Sequence, residues 1–97
     1  MHIRQTETFE KWMDGLRDRQ ARLRIAARIL RLAEGNPGDH RPLPGGIAEI
    51  RIDYGPGYRI YYLQNGPEII LLLVGGDKKT QSRDIETAQR LANEQKG

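Results

Sequence analysis

The residues able to do chemistry in this chain are cations, one carboxylate and one phenol on neighbouring β-type segments. Residues 47–53 alternate, with Ala48, Ile50 and Ile52 on one side and Glu49, Arg51 and Asp53 on the other, as a half-buried strand requires. Residues 58–64 form a second such segment with Arg59 and Tyr61, and Lys78 and Lys79 follow a third, apolar one. The pairing register of the first two decides which side chains share a face. Opposing Asp53 to Tyr58 would set Arg51 beside Ile60 and mix the faces. Setting Arg51 across from Arg59 or Tyr61 gathers Glu49, Arg51, Arg59 and Tyr61 on one face, with Ile50, Ile52, Ile60 and Tyr62 on the other. The second register is the expected one.

Like charges on adjacent strands repel unless something neutralises them. Glu49 can do so in part, within a solvated network worth under about 1 kcal/mol per pair. An RNA phosphate can do it from outside, and residue types alone leave both readings open. Two arginines, two lysines and an aromatic on one surface suit the gripping of nucleic acid, and guanidinium is planar and forked where ammonium is not. His40 falls in a loop, and imidazole is a side chain suited to acid–base work near neutrality, but a lone loop histidine is more often incidental. His2 is weaker still.

These side chains need a scaffold. Residues 2–5 alternate weakly and suggest a short first strand. Thr6 or Thr8 can cap a helix, with Glu10 near its third position. Phe9, Trp12, Met13 and Leu16 follow at spacings of three and four, a packing stripe. Asp18 caps a second helix over 19–33, its apolar side read as Arg22, Ala26, Ile29 and Ala33 with Ile25 and Leu32, and Gly35-Asn36-Pro37 stops it. The arginines on its other side (Arg17, Arg24, Arg28, Arg31) are what any surface helix shows. The glycine- and proline-rich stretch 35–46 is expected to be an irregular loop.

Tyr54-Gly55-Pro56-Gly57 and Asn65-Gly66-Pro67 are turn signals that join 47–53, 58–64 and 68–75 into an antiparallel meander. The last segment, almost continuously apolar, is expected at the centre, and Gly55, Gly57, Gly75 and Gly76 are read as turn residues. Residues 80–95 return to helical spacing through Ile85, Ala88, Leu91 and Ala92. The predicted fold is α+β: an N-terminal helical hairpin packed on a mainly antiparallel twisted sheet (a short N-terminal strand plus a three-stranded meander), then a C-terminal helix.

Ninety-seven residues fit one domain, assigned to 1–97, with no room for a second core. The chain has no cysteine, which excludes disulfides and thiolate zinc sites. The longest apolar run, 69–74, is too short to cross a bilayer, and no signal-peptide core follows the first residues. A soluble cytoplasmic protein without a membrane partner is expected. No phosphate-binding glycine loop, Ser-His-Asp arrangement or metal-ligand spacing occurs, so no cofactor and no metal are expected. Lys and Arg number 16 against 13 Asp and Glu, a net charge of +3, which permits a polyanionic partner without requiring one.

The runs Ile47-Ala48-Glu49-Ile50-Arg51, Gly57-Tyr58-Arg59-Ile60-Tyr61-Tyr62 and Gly75-Gly76-Asp77-Lys78-Lys79-Thr80-Gln81 together resemble the RelE/ParE toxin superfamily. They resemble most its HigB-like "addiction module killer" branch of type II toxin–antitoxin systems. The likeness covers almost the whole chain in order; Trp12 to Leu16, the arginine-rich second helix and Asp84-Ile85 before Ala88 also fit. It implies an mRNA interferase, an endoribonuclease that cuts messenger RNA in the ribosomal A site and inhibits translation. A cognate antitoxin, of helix-turn-helix type, would neutralise it and carry it to operator DNA.

The resemblance also assigns roles. Arg59 matches the sheet arginine of RelE-type toxins, Arg51 one of their basic strand positions, and Lys78 and Lys79 the region of a further catalytic cation. Arg51, Arg59 and Lys79 are thus the expected catalytic cations, and Lys78, Tyr61, Arg41 and Gln81 the RNA-binding set. Two positions depart from the pattern: Ile85 falls near the C-terminal tyrosine of RelE, and Glu49 replaces a strand cation. Glu49, held by Arg51 or Arg59, is the expected general base at the 2′-hydroxyl, with the arginines stabilising developing charge. Two other classes compete: a ParE-like, non-enzymatic inhibitor of DNA gyrase, and a non-toxic nucleic-acid-binding module.

Overall fold

The Thr6 side chain accepts from the Phe9 amide at 3.0 Å and donates to the Leu73 carbonyl at 2.7 Å, so the first helix is capped and tied to the sheet at once. In the computed structural model, which describes residues 1–96, the chain runs β1 (His2–Gln5), α1 (Glu7–Gly15), α2 (Arg19–Ala33), β2 (His40–Leu43), β3 (Ile47–Ile52), β4 (Tyr58–Asn65), β5 (Ile69–Gly76), one 3₁₀ turn (Lys78–Thr80) and α3 (Gln81–Lys96). Asp18 caps α2 through the Ala21 amide. The five strands lie in the order β1-β5-β4-β3-β2. β1 joins β5 in parallel and the other pairs are antiparallel.

Both sheet faces are covered. Phe9 of α1 and Ala21, Ile25 and Leu32 of α2 bury Ile50, Ile52, Tyr58, Ile60, Tyr62, Ile70 and Leu72. On the opposite face Ala88 and Ala92 of α3 close over Ile47, Tyr61, Leu63, Leu73 and Val74. The α+β architecture is as expected, with three differences. The stretch expected to be an irregular loop contains β2, which a turn with positive φ at Gly45 and Gly46 folds back on β3. Pro42 is tolerated there because β2 is an edge strand. The middle strand is β4 rather than β5, since β1 adds to the far side of β5. The buried stripe of α2 is Ala21, Ile25 and Leu32, whereas Arg22 and Ala26 face solvent.

Gly75 and Gly76, expected in a turn, are the last residues of β5. The β4–β5 ladder slips by one residue between Tyr61 and Tyr62, and this bulge re-aims the strand end. A Cβ on Gly75 would overlap the Trp12 ring, and one on Gly76 the Asp84 carboxylate. The glycines therefore let α1 and α3 approach opposite sides of β5 closely. Trp12 also meets Phe9 and Tyr58, with ring centroids 5.6 and 6.2 Å away.

Candidate functional site

Arg51 lies directly opposite Arg59, and Glu49 opposite Tyr61, so all four share one face. α3 divides that face. Glu49 and Tyr61 beneath it have no exposed surface, whereas the Arg51 side chain is about half exposed and Arg59 retains 12%. Beyond the covered part lies an open cleft of about 350 Å³ whose walls include Asp39, Arg51, Asp53, Tyr58, Arg59 and Lys78.

The cations of the cleft are positioned by side-chain and backbone partners around them. Arg28, from α2, donates to the carbonyls of Arg51 (2.8 Å), Pro37 (3.0 Å) and Asp39 (3.2 Å), pinning the approach to β2 against the end of β3. Burial lowers the Arg28 pKa first, Arg31 adds to that, and Asp39 opposes it. Arg51 reaches the Asp39 carboxylate at 3.0 Å. The Arg59 guanidinium donates to the Gly57 carbonyl at 3.0 Å, and its buried Nε has no hydrogen bond. Gly57 has φ +80°, a conformation that favours glycine, and it lies against both cations: a Cβ there would sit in ordinary contact, 3.4 Å from Arg59 and 3.6 Å from Lys78.

Lys78 owes its place to a capping box. The Asp77 carboxylate accepts from the amides of Lys79 and Thr80, and the Asp77 amide donates to the Thr80 hydroxyl. That hydroxyl in turn donates to the buried Asp84 carboxylate. The turn is thus fastened to α3 while Lys78 lines the cleft. Lys79 is exposed on the same turn but is not part of the cleft wall.

The other expected site residues form a separate cluster. Glu49 accepts from Arg41 Nε at 2.8 Å and Gln81 Nε2 at 2.9 Å, with Arg59 Nε at 3.7 Å. Burial pushes the Glu49 carboxyl up, but the polar groups of Arg41, Gln81 and Tyr61, with the Arg41 charge, outweigh it and leave the pKa below its ordinary value. The Tyr61 hydroxyl is buried without a well-formed hydrogen bond. Burial, then the neighbouring Glu49, raises its pKa far above that of an ordinary tyrosine.

Glu49 and Tyr61, expected on the solvent side, are therefore closed off by α3. A fully buried carboxylate with its acceptors engaged does not reach a 2′-hydroxyl, and a buried phenol does not touch RNA. Gln81 turns its amide onto Glu49, and Arg41 its Nε, the Arg41 side chain staying half exposed at the edge of this cluster. Of the expected set, the fold brings Arg51, Arg59 and Lys78 together. The cleft adds Asp39, Asp53 and Tyr58. Asp53 was legible, because it alternates with Arg51, but Asp39 is not, since it arrives from a different part of the chain. His40 is exposed, with Nδ1 2.8 Å from the Gly38 carbonyl. Among the described residues no group of three or more His, Cys, Asp or Glu could hold a metal ion, and no helix is long and apolar enough to cross a membrane.

A cationic cleft at the open end of a sheet covered on both faces thus characterises this α+β fold. Residues 11–93 match the family model described as phage-derived protein Gp49-like (DUF891). The chain is also 45% identical over 94 residues, covering 97% of itself and 95% of its relative, to an uncharacterized protein of Haemophilus influenzae. The chain belongs to the Gp49-like family, a family of RelE-like toxins. Membership implies an antitoxin as partner.

Proposed function

We propose that the protein is the toxin of a type II toxin–antitoxin pair, of HigB-like type, and that it cleaves messenger RNA on the ribosome at the Arg51–Arg59–Lys78 cleft. The supporting observation is the convergence of three cations from β3, β4 and the turn after β5 on one open cleft. The opposed arginines repel across the strands; the half-exposed Asp39 carboxylate meets Arg51 at 3.0 Å and the buried Glu49 lies 3.7 Å from Arg59 Nε. A phosphodiester in the open cleft would add an anion on the solvent side of both guanidiniums.

In this reading the RNA 2′-oxygen attacks the adjacent phosphorus. A P–O2′ bond forms, the P–O5′ bond breaks, and the products carry a 2′,3′-cyclic phosphate and a 5′-hydroxyl. Arg51 and Arg59 stabilise the charge on the non-bridging oxygens. Asp53 takes the 2′-proton in place of Glu49, being an exposed carboxylate in the cleft wall. Lys78 neutralises the departing 5′-oxygen, which takes a proton from water.

The test is expression in cells with simultaneous mapping of transcript 5′ ends and plasmid supercoiling. Codon-phased new ends that disappear with Arg59→Ala are expected. Relaxed plasmid with intact transcripts would replace this reading with gyrase inhibition. An Asp53→Asn protein that cleaves as fast as the parent would remove Asp53 from the scheme.

A further inference from the structure

α2 carries a second apolar stripe that the core does not use. Leu23, Ala26 and Leu30 stand at i, i+3 and i+7, on the side of the helix opposite Ala21, Ile25 and Leu32. Leu23 is 56% exposed and Leu30 65%. Helical spacing makes such a row a natural seat for another helix. At its N-terminal end the row opens into a groove of about 470 Å³, where Met13 of α1 meets Leu23 and Ala26 and the rim is Arg17, Arg19 and Arg22.

The rim says what kind of partner fits. Among the described residues, no carboxylate lies within ion-pair distance of these three guanidiniums. The nearby Asp18 is occupied by the Ala21 amide and the Tyr54 hydroxyl. α2 has no acidic residue in its first turn, where Arg19 and Arg22 stand instead. Cations at that end oppose the helix dipole, so within this chain they gain nothing from their position. Carboxylates of a bound partner would reverse that penalty. Protruding leucines, by contrast, offer nothing to an RNA backbone.

We propose that the outward face of α2 is a docking surface for an amphipathic helix of a partner protein, apolar along one stripe and flanked by glutamates or aspartates. This surface is separate from the cleft, and the proposal stands whether or not the cleft cuts RNA.

The probe is a labelled synthetic helix with leucines at i, i+3 and i+7 and glutamates on both flanks, titrated against the full chain by fluorescence polarisation. Saturable binding is expected, weakened at least about tenfold, or 1.4 kcal/mol, by Leu23→Asp with Leu30→Asp. Both positions are solvent-facing, and melting temperatures verify that the variants fold. A peptide with lysines for glutamates should not bind the parent but should bind the Arg19→Glu, Arg22→Glu variant. Amide-exchange protection on binding should centre on residues 19–33. Binding no better than that of a peptide with a polar stripe, or affinity unmoved by the leucine changes, would overturn the proposal. So would displacement of the peptide by a single-stranded RNA oligonucleotide, which would assign the face to nucleic acid.

Discussion

Replacing Glu49 by Gln separates a structural carboxylate from a catalytic one. The carboxylate joins β2, β3, β4 and α3 through Arg41, Arg59 and Gln81, and its side chain is wholly buried. Glutamine keeps the shape but removes the charge and one acceptor oxygen, and it leaves the nearly buried Arg59 without its counter-charge. Arg41 is half exposed and rehydrates, so its share is small. The loss then comes chiefly from the Gln81 bond and from Arg59, and a hydrogen bond to a charged group is worth about 1.5–3 kcal/mol. A destabilisation of about 2 kcal/mol is expected at pH 7, which for a chain of this size lowers the melting temperature by about 8–16 °C.

The pH dependence follows from the lowered pKa. A carboxyl more acidic in the folded state stabilises the fold above its unfolded pKa, about 4.3. That contribution fades as pH falls through the folded value. The gap between parent and Glu49→Gln should therefore be full at neutrality and narrow below about pH 4. Urea titrations at pH 7 and at pH 3 measure it. Equal stability of the two proteins at pH 7, with cleavage lost, would refute the structural role and restore Glu49 as a reacting group.

Other perturbations test the scaffold of the cleft. Gly76→Ala drives a methyl into Asp84 and Thr80 and should cost about 1–3 kcal/mol, measured by urea denaturation; Gly75→Ala should do the same against Trp12. Arg28→Met removes three bonds to carbonyls around Asp39 and Arg51, with an expected loss of about 1–3 kcal/mol and faster amide exchange at Arg51. Asp77→Ala dismantles the capping box. Toxicity should fall with little change in melting temperature, because the turn that carries Lys78 loosens while the core stays intact.

What was legible in the chain alone was whatever depends on neighbours in sequence. Asp18 and Gly35 bound α2 because a cap and a stop act over three or four residues. The faces of β3 and β4 follow from alternation, and setting Arg51 across from either Arg59 or Tyr61 keeps Ile50, Ile52 and Ile60 together. Hence Arg51 and Arg59 could be placed on one face from residue types, with Asp53 beside them, while the structure decides that they stand directly opposite. Tertiary contacts decided the rest. No local pattern marks 40–43 as a strand, since an edge strand containing proline exists only because β3 offers it a ladder. Gly75 and Gly76 resemble turn residues until Trp12 and Asp84, distant in sequence, are brought against β5. The largest change is at Glu49 and Tyr61: alternation puts them on the same face as the arginines, but the packing of Ala88 and Ala92 lays α3 over that half of the face. A strand's side-chain period states which way a residue points; what lies in that direction is set by how the chain returns.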